Sequence, residues 1–166
     1  MRLDFRFRRA LHATLAALFV TGAVWVVADR MGWRLDPGPW QKAAAWLLML
    51  HGGAAMVMLV LLGALIPFHV RVAWRRRENR ATGVVMLAVN FALIVTAFGL
   101  YYLGSESLRR VASDAHVLVG LALPLLLIGH LKIGRVVVRE KRLRAIARTA
   151  RRVADESQAD EAANLE

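Results

Sequence analysis

No cysteine occurs among the 166 residues of this chain. That absence excludes a thiolate-held iron–sulfur cluster, a covalently attached C-x-x-C-H haem, a catalytic thiol and any disulfide. It also leaves the redox compartment unreadable from cysteine usage. No internal repeat and no low-complexity tract interrupts the chain, and the segments between its apolar runs hold no set of residues that resembles a catalytic centre.

What the chain has in excess is apolar surface. Hydrophobic residues make up 58% of it, too many for a soluble domain of this size. Four segments, about 10–28, 43–68, 81–103 and 115–131, have the length and composition to cross roughly 30 Å of hydrocarbon. The expected fold is therefore all-α: a transmembrane four-helix bundle over residues 1–134, in a multi-pass membrane protein. The N-terminal run follows Arg2, Arg6, Arg8 and Arg9 as a secretory signal would. It is read as a span, because it is longer than a usual signal core and no small-x-small cleavage site precedes Asp29 and Arg30.

The formal charge of +11 would suggest nucleic acid in a soluble protein. Here the basic residues sit beside the span ends and set topology instead, so no nucleic acid is expected. Arg2 to Arg9 precede span one, Arg71, Arg75, Arg76, Arg77 and Arg80 join spans two and three, and Lys132 to Arg152 follow span four. The connections 29–42 and 104–114 carry nearly balanced charge. Both termini are expected on the cytoplasmic side of a bacterial inner membrane.

In the first translocated connection, Asp36-Pro37-Gly38-Pro39 breaks any helix. Trp25, Trp33, Trp40 and Trp46 surround it, and Tyr101 and Tyr102 end span three, as an interfacial aromatic belt would. Ser113 and Asp114 are expected to cap span four, with Pro124 as a kink point inside it. Residues 135–154 read as a basic amphipathic helix on the anionic inner leaflet, with docking to a partner as the alternative. Residues 155–166 read as a disordered acidic tail.

The chemistry rests on five histidines. His12, His51, His69, His116 and His130 all fall in or at the ends of the apolar runs. An ionisable side chain in hydrocarbon is costly unless paired or coordinated, and imidazole is a ligand of haem iron. At about 1.5 Å per residue, His51 and His116 lie near the outer face, and His12, His69 and His130 near the inner one. His116 and His130 are fourteen residues apart on span four, so both rings leave one face at levels about 21 Å apart. Two stacked haems, held without covalent attachment as in b-type cytochromes, fit that spacing. The outer one has a single pairing, His51 with His116. The inner one pairs His130 with His12 or His69. His12 is preferred, because His69 stands about 27 Å below His51, follows the helix-disturbing Pro67 and abuts Arg71 in the headgroup zone. His69 then remains an interfacial side chain, with a quinone or propionate contact as its alternative role. Gly52, Gly53, Gly120 and Gly129 beside these histidines would let a macrocycle approach the backbone, although glycine is also common at helix contacts in membranes.

This pattern over about residues 8–135 resembles the bacterial four-helix di-haem cytochromes b, which include the cytochrome b561 family and the membrane subunits of formate dehydrogenase and nickel–iron hydrogenase. In that superfamily one ligand comes from span one, one from span two and two, fourteen apart, from span four, matching His12, His51, His116 and His130. The extra His69 departs from the pattern. The resemblance implies two bis-histidine haems b as iron ligand sets, electron transfer across the bilayer, and a quinone or quinol reacting near one haem.

Around that frame, Arg8, Arg9, Arg71 and Lys132 are candidates to neutralise haem propionates, beside their role in topology. Asn90, the one amide within a span, is a candidate donor to a quinone carbonyl, against the plainer role of an interhelical hydrogen bond. The short connections favour an electron-transfer subunit that works with a periplasmic redox partner, such as a multihaem cytochrome c or a dehydrogenase. A stand-alone oxidoreductase passing electrons from superoxide or another small reductant to quinone is the first alternative, and a haem-free transporter or metal-binding membrane protein the second. Partners beyond lipid and quinone are not fixed by these residues, and a homo-oligomer is compatible with them.

Overall fold

The computed structural model describes the backbone of residues 4–30, 39–77 and 79–163, and the side chains of 4–29, 41–77 and 79–152. Helix α1 spans Phe5–Arg30 and α2 Pro39–Leu65; a π turn at Ile66–Val70 leads into α3, Arg71–Arg75; α4 spans Arg80–Tyr102 and α5 Glu106–Ala163. No strand occurs among the described residues. Four of the helical stretches are long and apolar enough to cross a membrane, at the places the apolar runs predict. Asp36 to Gly38 and Trp33 lie outside the described residues, and Pro39 opens α2, where its missing N–H is no loss.

Two boundaries differ from expectation. Helix α5 starts at Glu106, so Ser113 and Asp114 lie inside it and only Leu103 to Ser105 join it to α4. Ser105 takes the capping place: its Oγ accepts from the Leu108 N–H at 3.5 Å. Glu106 then adds a negative charge in the first turn, where the helix dipole favours it. At the other end α5 continues through the basic segment in one helix of 58 residues, about 87 Å long. Arginine, lysine, glutamate and alanine are good helix formers, and no proline follows Pro124, so nothing stops the helix at the membrane face. Residues 135–154 therefore extend span four instead of turning onto the leaflet as a separate element. The backbone of 155–163 is helical rather than disordered, and 164–166 lie outside the described residues.

Helix α1 packs along α2 and α4 along α5, and contacts of α1 with α5 join the two hairpins. Small residues let α4 and α5 approach: a Cβ on Gly99 would lie 3.2 Å from the Cβ of Ala112. Among the described side chains only Ala28, Met58 and Ala112 are buried, while Val60, Leu118 and Leu125 are among many apolar side chains that face outward. Such a surface suits lipid, where every backbone polar group must be paired inside its own helix.

The π turn has a local cause. Pro67 offers no N–H, and its ring would meet the carbonyl of Gly63 in a regular helix. The chain widens by one residue, and the Arg71 N–H bonds to the Ile66 carbonyl. After α3, Arg77 and Asn79 take left-handed backbone angles, φ 53° and 46°. This inner connection is pinned to α5, because Asn79 Nδ2 donates to the His130 carbonyl at 3.1 Å and Lys141 Nζ to the Arg76 carbonyl at 2.8 Å.

Candidate functional site

Each of the four long apolar helices sends one side chain to a common level, the outer one in the expected topology: Thr21 from α1, His51 from α2, Thr96 from α4 and His116 from α5. The rings of His51 and His116 face each other with centroids 6.3 Å apart and planes 73° apart. His51 Nδ1 lies 2.9 Å from Thr21 Oγ1, and His116 Nδ1 lies 2.9 Å from Thr96 Oγ1. Both hydroxyls are already spent as donors, Thr21 to the Ala17 carbonyl at 2.6 Å and Thr96 to the Ala92 carbonyl at 2.7 Å. The Nδ1–H groups therefore donate to the threonines, and the free lone pair of each ring is on Nε2.

The inner level repeats the plan with one change. The ring facing His130 is that of His69, with centroids 6.5 Å apart and planes 78° apart. His130 Nδ1 lies 2.8 Å from Thr82 Oγ1, whose own hydrogen goes to Asn79 Oδ1; Asn79 Nδ2 is farther from Nδ1, at 3.4 Å, and makes its shorter bond to the His130 carbonyl. His69 is exposed and has no hydroxyl partner among the described residues.

The structure thus sets His69, and not the preferred His12, beside His130. His12 is exposed on α1, and the straight-helix arithmetic that set His69 too low did not allow for the π turn. Eighteen residues would be five turns of a regular 3.6-residue helix, and the extra residue of the π turn rotates His69 by roughly 100° from that direction. It also removes about 1.5 Å of rise, a small part of the roughly 6 Å by which straight-helix counting sets His69 below the level of His130.

The remaining candidates are placed as follows. Asn90 Nδ2 gives one of its two N–H groups to the Met86 carbonyl of its own helix at 2.7 Å, and its amide makes no bond across helices among the described residues. The guanidinium groups of Arg8 and Arg9 sit over the Phe5 ring, 5.9 and 5.4 Å from its centroid. Arg71 and Lys132 are exposed, Arg71 two residues past His69 and Lys132 two past His130. Thr21, Thr82, Thr96 and Asn79 were not anticipated. A signal for two of them was present: Thr82 and Thr96 are fourteen apart, like His116 and His130. On antiparallel helices equal spacing brings both threonines to both histidines at once.

What these pairs can hold follows from counting donors. A metal between two imidazole nitrogens at about 2.0–2.1 Å, with about 1.1 Å more to each ring centre, separates centroids by about 6.2–6.4 Å. Both observed separations agree within a few tenths of an ångström. Among the described residues no three histidine, aspartate or glutamate side chains converge as a self-sufficient metal site would require. Two imidazoles at this separation could serve as the axial pair of an iron whose other four donors would come from a porphyrin. Gly22 of α1 packs against the outer pair so closely that a Cβ there would be 3.1 Å from His51 Cε1. The donor set and its spacing fit haem b. Gly22→Leu is expected to push the His51 ring out of line and to weaken outer haem retention by about tenfold or more, read as haem per chain after purification. Retention equal to that of the unmodified chain would remove Gly22 from the site. Comparison with protein-family models, with curated proteins and with solved structures finds no match to this chain.

Proposed function

We propose that this chain is a membrane cytochrome b that carries electrons across a bacterial inner membrane between a quinone or quinol and a periplasmic redox partner. The observation that carries the reading is the pair of opposed imidazoles repeated at two levels, each at the separation of a bis-histidine iron site. Bound haem b would supply reversible one-electron chemistry at its iron. His51 and His116 would hold the outer group, and His69 and His130 the inner one, at levels about 21 Å apart along α5. Spacing of that size places porphyrin edges much closer than the irons, since each macrocycle extends toward the other.

The termini and the connection between α2 and α4 carry the positive charge and belong on the cytoplasmic side by the positive-inside rule. The extension of α5 then stands in the cytoplasm. His69 is exposed beside Arg71 and opens the inner level toward the headgroup region, which favours that level for quinone chemistry. On the outer face the link between α4 and α5 has three residues, Leu103 to Ser105, and so short a connection suits delivery of electrons by a separate subunit.

The test is haem stoichiometry. Full-length protein purified in detergent should give two haems b per chain by pyridine haemochrome, with a reduced-minus-oxidised difference spectrum of b type. A colourless preparation that takes up no added haemin ends the proposal.

A further inference from the structure

Three of the four paired rings meet a threonine at Nδ1, and in each case the hydroxyl hydrogen is directed elsewhere. A threonine bonded back to its own helix is ordinary in membranes and by itself means little. Here the oxygen serves as acceptor as well, at 2.8–2.9 Å from a histidine of a different helix, on α1 once and on α4 twice. We infer that Thr21, Thr82 and Thr96 are positioning residues that fix the Nδ1–H tautomer of His51, His130 and His116 and aim each Nε2 at a haem iron. The inference rests on the haem reading above.

The physical reason is that a neutral imidazole coordinates through only one nitrogen, and the wrong tautomer presents a hydrogen to the metal. A hydrogen bond accepted from Nδ1–H selects the right tautomer, restrains ring rotation and raises the electron density at Nε2. The relay ends on a backbone carbonyl for Thr21 and Thr96 and on Asn79 for Thr82, so each hydroxyl is locked in orientation. The arrangement is unequal between levels. Both outer ligands are supported, whereas only His130 is supported at the inner level. Thr96→Val should therefore act on the outer haem alone and Thr82→Val on the inner haem alone.

The experiment uses full-length protein purified with its haem. Haem transfer to excess apomyoglobin from Thr96→Val should be about 10–100-fold faster for one of the two haems. The midpoint potential of that haem should rise, because a weaker donor stabilises ferric iron less. Thr96→Ser should restore both quantities, which a packing defect would not. Thr82→Val should give the same result at the other haem and guards against misfolding of a single variant. If both valine variants keep two haems with unchanged transfer rates and potentials, the threonines are helix back-bonds only and the inference fails while the haem reading stands. Absence of haem from the unmodified protein would overturn both.

Discussion

His116→Ala protein is expected to carry one haem where the unmodified chain carries two. His116 is one of two ligands at the outer level, and no other histidine ring is found facing His51 among the described residues. The inner pair lies about four turns away on α5, too far to share a ligand, so its loss should be independent of the outer one. Pyridine haemochrome per chain should fall by half, and a redox titration should show a single component in place of two. His51→Ala should reproduce both results, since the two rings serve one metal. Two haems retained in folded His116→Ala protein would show that the outer pair is not an iron site.

A comparison of His69→Ala with His12→Ala should separate the two inner ligand sets. The structure sets His69 against His130 at 6.5 Å and leaves His12 exposed on α1. His69→Ala should therefore lose the inner haem and drop to one haem per chain, whereas His12→Ala should keep two. A companion variant, Pro67→Ala, should weaken the inner haem without removing a ligand. Restoring the missing N–H allows the π turn to relax to a regular helix, and His69 then moves away from His130. The opposite outcome, with the inner haem lost from His12→Ala and kept in His69→Ala, would return the assignment to the superfamily pattern.

The outer site was legible because it required little beyond counting. His51 and His116 each lie a few residues inside a span end, and span ends are fixed by the hydrocarbon thickness and flanking charge. Height along a straight helix follows from residue number, so the two rings had to share a level. Which ring meets His130 was not legible by the same arithmetic, because the widened turn at Pro67 resets the direction in which His69 leaves α2. The start of α5 was misplaced for a different reason. Ser105 and Ser113 are both plausible caps by residue type, and only the helix context shows which one is used. The amphipathic helix at 135–154 was read correctly as a helix, but its direction depends on whether the junction with span four bends, and nothing at Gly134 bends it.

Span number, the all-helical class and the two levels of imidazoles are properties of the sequence by itself, since burial of backbone polar groups in lipid permits apolar runs of this length only one conformation. Which ring faces His130, and which hydroxyl holds each Nδ1, was decided only by tertiary structure. Those matters depend on the rotation of one helix against another and on a single widened turn, and rotation between helices is set by packing of residues far apart in the chain.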